Sequence, residues 1–143
     1  MEVSHELVQR FNFNVASCEI VFDGVSAHPM SAKGKLINPI LMAQDFISHF
    51  DRMDTPEHTS GREGFFWITD LVANDSNATM QILIRDFDSS SSDRRKQKIE
   101  AIAEIVERKY PSGGLRYRMK DTYRNFGTYL SQDPRAAFAV LST

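Results

Sequence analysis

Between residues 15 and 23 the chain alternates. Ala16, Cys18, Ile20 and Phe22 fall on one side, and Ser17, Glu19, Val21 and Asp23 on the other. That is the period of a strand with one buried face, and Gly24 ends it. Over residues 38–52 the period becomes helical, with Ile40, Ala43, Ile47 and Phe50 in a stripe widened by Phe46. Asn38 suits the N-cap and Pro39 the first helical position. Turn formers fill 53–63. Aromatic and β-branched residues then predict a strand over 64–73, a turn at 74–77 and a strand over 78–87, together a hairpin. In the last of these, Met80, Ile82 and Ile84 share one face and Gln81, Leu83 and Arg85 the other. A second helix is predicted over 92–110, capped by Ser91 or Ser92. Its stripe is Ile99, Ile102, Ala103, Val106 and Tyr110, and 111-PSGG-114 stops it. Over 115–121 Leu115, Tyr117 and Met119 face in, while Arg116, Arg118 and Lys120 face out. A short helix is expected over 134–141.

The order is β-α-β-β-α-β, with one apolar face per strand and one apolar stripe per helix. Two layers satisfy this: a four-stranded antiparallel sheet with both helices on one face, the ferredoxin-like α+β arrangement. Residues 15–121 form this domain, preceded by an entry segment (1–14) and followed by an exit segment (122–143). Strands one and three are central in this arrangement, and strand two lies at an edge. Its core, 65-FFWITDLVA-73, carries no lysine or proline. Such an edge predicts pairing with another chain.

Composition narrows the functional classes. A chain of 143 residues suits one core. A net charge of -2 removes the basic excess that nucleic-acid binding needs, and the strands lack an aromatic RNA-recognition motif. The single cysteine, Cys18, allows no intrachain disulfide and fits a reducing compartment. No apolar run reaches the ~18 residues of a membrane span, and the N-terminus does not read as a secretory signal.

Local chemistry is sparse. In 49-HFD-51 the histidine and aspartate point ~200° apart on a helix, and no further ligands complete a metal site. Cys18 reads as a core residue, and no Gly-rich phosphate loop is present. The loop 26-SAHPMSAKGK-35 is more specific. His28 follows a central strand, Pro29 fixes the backbone beside it and Gly34 permits a tight turn. Lys33 reads equally as a solvated lysine. Arg85 has two readings. One is an ion pair on the sheet surface with Glu19 or Asp23; the other is recognition of a carboxylate by two parallel hydrogen bonds.

Four stretches carry a resemblance: 27-AHPMSAKGKLIN-38, 55-TPEHTSGREGFF-66, 84-IRDFD-88 and 121-DTYRNF-126. In this order and spacing they resemble the peptidase T family of zinc-dependent tripeptide aminopeptidases. The part resembled is the smaller domain inserted into the zinc-binding domain, which serves as lid and dimerisation surface. The resemblance implies a cytoplasmic homodimeric parent enzyme with a peptide substrate. It places the zinc ligands outside this chain, leaving the fragment inactive alone.

It also implies roles. His28 resembles the lid histidine that reaches into the partner subunit and hydrogen-bonds the scissile carbonyl oxygen. Arg85 resembles the arginine that binds the substrate's C-terminal carboxylate. Lys33 and Asn38 are implied on the substrate-binding side, Pro29 and Gly34 in shaping the loop. Tyr123 and Asn125 match a family stretch without a derived role. Met30-Ser31 departs from the usual residues after His-Pro, which bears on substrate preference. The alternative is a free-standing ferredoxin-like module that binds a ligand or dimerises.

Overall fold

The computed structural model describes residues 14–60 and 63–123. Asn125, the helix expected at 134–141 and most of the entry and exit segments lie outside the described residues. The elements are β1 (Asn14–Asp23), α1 (Pro39–Ser48), β2 (Phe65–Ala73), β3 (Asn77–Asp86), α2 (Ser89–Lys109) and β4 (Gly114–Tyr123). Short 3-10 turns occupy Pro29–Ser31 and Pro56–His58. The sheet is antiparallel in the order β2-β3-β1-β4. The ferredoxin-like expectation therefore holds, with β1 and β3 central and β2 at an edge.

The alternation in sequence becomes two faces. Ala16, Cys18, Ile20 and Phe22 of β1 and Ala78, Met80, Ile82 and Ile84 of β3 are all buried, and the two helices cover this side. From α2, Ile99, Ile102, Ala103 and Val106 pack down, as their spacing predicts. Phe46 meets Phe22 edge-on at 5.7 Å, and Phe50 meets Phe66 at 5.0 Å. Such edge-to-face pairs add to the burial of the rings.

Several boundaries and faces differ from expectation. The first helix ends at Ser48, four residues early, where Nδ1 of His49 lies 2.7 Å from the Asp45 carbonyl and the Phe50 amide donates to the Ile47 carbonyl. Its buried residues are Pro39, Met42, Ala43 and Phe46, while Ile40 is 43% exposed. The helix is rotated because Pro39 packs against Gly24 at the end of β1, where a Cβ on Gly24 would lie 2.5 Å from the Pro39 Cδ. The second helix begins at Ser89, so neither Ser91 nor Ser92 is its cap. Asp88 takes that place: its carboxylate accepts from the Ser90 amide and from the Ser90 and Ser91 hydroxyls. Ser92 is buried in the first turn. Tyr117 lies on the expected side of β4 but is 42% exposed, because β4 is the other edge of the sheet.

Candidate functional site

The loop carrying His28 is tied at its base. Val25 and Ile37 exchange both backbone hydrogen bonds, at 3.0 and 2.9 Å. Residues 26–36 therefore form a closed excursion in the manner of an Ω-loop. Within it the Lys35 and Leu36 amides both donate to the Ala32 carbonyl at 2.9 Å. Gly34 turns the chain at φ +74°, where a Cβ is disfavoured. Asn38 accepts from the Ile40 amide at 3.0 Å and Pro39 opens α1, so the helix begins as soon as the loop closes.

His28 is exposed and precedes the Pro29–Ser31 turn. Its carbonyl accepts from the Ser31 amide at 2.8 Å, and its Nδ1 accepts from the Met30 amide at 3.2 Å. An accepting Nδ1 carries no proton, so the neutral ring is protonated at Nε2. The turn thus presents an N–H donor on the ring nitrogen it does not use. Lys33 is exposed on the same loop, whereas the side-chain oxygen of Asn38 is engaged as the helix cap.

Arg85 lies on the sheet face away from the helices. Its register partners are Val15 on β1 and Phe65 on β2. The expected pairing with Glu19 or Asp23 is not made. Glu19 accepts from Gln81 at 2.9 Å and meets Arg118 at 3.5 Å, while Asp23 pairs with Arg116 at 3.1 Å. Both carboxylates sit further along β1, opposite Gln81 and Asn77. Among the described residues, the Arg85 guanidinium faces the rings of Phe65, 5.8 Å to the centroid, and Phe87, 5.3 Å. Burial lowers its pKa from the ordinary arginine value. A partly desolvated guanidinium with aromatic neighbours suits a planar anion such as a carboxylate.

His28 and Arg85 are attached level with opposite ends of β1. Arg85 is level with Val15, and the His28 loop leaves β1 beyond Asp23. Eight residue steps of β1 separate these levels, roughly 26 Å at the rise of a strand. A tripeptide spans at most ~11 Å.

Near Arg85, on the helix side, lies a polar cluster that sequence reasoning missed. Arg95 donates from Nε to Asp86 at 2.8 Å and from a terminal nitrogen to Asp54 at 2.7 Å. Its guanidinium also lies over Phe66, 4.9 Å from the ring centroid. Burial opposes its charge, but the two carboxylates outweigh that and raise its pKa. One signal was present: Arg95 precedes Ile99, Ile102 and Val106 at i, i+4, i+7 and i+11, a charge inside an apolar stripe.

Among the described residues no group of three or more His, Cys, Asp or Glu could hold a metal ion. His49 faces the Asp45 carbonyl and Asp51 accepts from the Met53 amide, so the residues of 49-HFD-51 are engaged locally and do not fit one. Among the described residues, no helix is long and apolar enough to cross a membrane. At the β2 edge Trp67 is 47% and Val72 65% exposed. A cleft of 230 Å³ lined by Phe50, Thr55, Glu57, Phe66, Trp67 and Ile68 adjoins that edge and includes neither His28 nor Arg85.

The comparisons with known proteins agree with this architecture. A peptidase dimerisation domain of the M20 type matches residues 11–114. A peptidase T-like protein of Rhizobium meliloti is 63% identical over 124 residues, covering 87% of this chain and 30% of the relative. Peptidase T of Clostridium perfringens is 39% identical over 114 residues, covering 80% and 28%. The chain thus spans about a third of the length of these curated relatives. Among solved structures, the aminopeptidase PepT of Bacillus cereus superposes with a TM-score of 0.63 at 14% identity, covering 79% of this chain and 30% of that one. A dinuclear metal-binding M20 peptidase of Bacillus subtilis gives 0.56 at 19%, covering 90% and 32%. These two likenesses bear on the fold alone. With the matched family spanning most of the described fold, the chain belongs to the M20 peptidase dimerisation domains, of the type found in peptidase T-like proteins.

Proposed function

We propose that this domain is the dimerisation and substrate-binding lid of a peptidase T-like aminopeptidase that removes the N-terminal residue from tripeptides. Residues 15–121 form the lid, and 122–143 lead towards the metal-binding domain. The metal, zinc in the family resembled, belongs to that other domain, and the isolated lid is inactive. The setting is cytoplasmic.

The observation that carries the reading is the separation of His28 and Arg85. A tripeptide is much shorter than the ~26 Å of β1 between the level of Arg85 and the base of the His28 loop, which supports a site whose two residues come from two protomers. Arg85 of one protomer holds the C-terminal carboxylate. His28 of the partner subunit hydrogen-bonds the scissile carbonyl oxygen through its Nε2–H. A donor aimed at that oxygen stabilises the negative charge that develops as the carbonyl becomes tetrahedral. Lys33, on the same loop, adds positive charge beside the substrate. Asn38, Pro29 and Gly34 serve by fixing the loop that aims the histidine. The two protomers join through β2, residues 65–73, extending one sheet into the next.

His28→Ala in the full-length protein tests this. The expected result is a kcat lower by about two orders of magnitude with KM little changed, as for loss of an oxyanion donor. A kcat within a few-fold of wild type would remove the assigned role. Tripeptide hydrolysis by the isolated chain would contradict the lid assignment.

A further inference from the structure

We propose that Asp54, Arg95 and Asp86 form a latch that positions Arg85, and so sets the selectivity for a free C-terminal carboxylate. The inference rests on the carboxylate role given to Arg85 above.

The two groups lie on opposite faces of the sheet. Arg85 projects from the open face, whereas its neighbour Asp86 is buried on the helix side. Arg95 therefore cannot touch a substrate held by Arg85, and acts through the backbone between them. The connections are short. Asp86 accepts from Arg95 with one oxygen, and from the Phe87 and Asp88 amides at 2.8 and 3.4 Å with the other. Asp54 accepts from Arg95 with its carboxylate, while its carbonyl accepts from the Phe66 amide at 3.0 Å.

Among the described residues, the rings beside the Arg85 guanidinium are those of Phe65 and Phe87. Each is one residue from a group the cluster fixes: Phe65 precedes Phe66, and Phe87 follows Asp86 with its own amide bound. Arg95 bridges the two chain segments and covers the Phe66 ring. Without it, the ladder still pairs Phe65 with Arg85, but the Asp54 segment and the chain leaving β3 at Asp86 lose their shared anchor, and the Phe87 ring loses its fixed place beside Arg85. A guanidinium that must meet a carboxylate through two parallel hydrogen bonds tolerates little displacement.

The test compares kcat/KM for a tripeptide with that for its C-terminal amide, in the full-length protein. Arg85→Met serves as the reference and is expected to collapse the acid-to-amide ratio. Arg95→Met and Asp54→Asn are expected to lower it roughly tenfold, mainly through KM for the acid, less than the roughly hundredfold that a 1 Å misplacement can cost. If Arg95→Met does not fold, Asp54→Asn carries the test, since it removes one arm of a partly exposed carboxylate. Equal losses on both substrates, leaving the ratio unchanged, would overturn the latch. A ratio unchanged by Arg85→Met would overturn the carboxylate role itself, and the latch with it.

Discussion

The Met30 amide donates to Nδ1 of His28 across a turn opened by Pro29. The bond ties the tautomer of the neutral ring to the shape of the loop. Neutral His28 is expected in the Nε2–H form. Long-range 1H–15N correlation spectra of the imidazole check this. A dominant Nδ1–H form would contradict the geometry and the donor role built on it.

The tied base of that loop depends on Gly24. A Cβ there would lie 2.5 Å from both the Ile37 carbonyl oxygen and the Pro39 Cδ. Gly24→Ala is expected to cost about 2 kcal/mol, since backbone and proline ring cannot yield easily. Gly34→Ala meets open space but keeps the positive φ, and is expected to cost about 1 kcal/mol. Urea unfolding of the two variants should rank them in that order.

Asp88 links helix formation to pH. Hydrogen bonds from Ser90 and Ser91 lower its pKa below the ordinary 3.8. The folded state therefore binds this proton less readily than the unfolded chain. Its stabilisation is present above pH 3.8 and is lost as pH falls through the lowered value. Asp88→Ala is expected to destabilise α2 at neutral pH and to flatten the acid limb of a stability–pH curve. An unchanged acid limb would count against the cap.

Cys18 is buried, and burial with the charge of Glu19 pushes its thiol up to about 12. The thiolate is the reactive form. Alkylation at pH 8 is expected only after denaturant unfolds the chain. Rapid labelling of the native protein would contradict the packing of β1.

The strands were largely legible, because one face of β1 and one of β3 pack on the helices and the alternation records it. The phase of α1 was less so. Ile40 and Pro39 are both apolar, and the choice of Pro39 for the interior rests on its contact with Gly24, distant in sequence. The serine run concealed the helix start because serine caps well, yet Asp88 supplies a carboxylate that three donors share. His28 was legible as a singular loop histidine, whereas its place at the far end of β1 from Arg85 emerges only with the register of β1 and β3. The ion pair assigned to Arg85 failed on register: Glu19 and Asp23 share its sheet face but sit too far along β1. The Arg95 cluster was hidden because Asp54 reaches it only once residues 51–58 fold back towards α2.

The central claim is that two protomers complete one site, and subunit mixing tests it most directly. Full-length His28→Ala is mixed with a second full-length variant inactivated in its metal-binding domain, and mixed dimers are verified by native mass spectrometry. Each mixed dimer then holds one intact site, served by His28 of the partner subunit. Random pairing makes about half of the dimers mixed, so activity is expected to return to about a quarter of wild type. Mixed dimers that remain as inactive as their parents would contradict a histidine supplied across the interface.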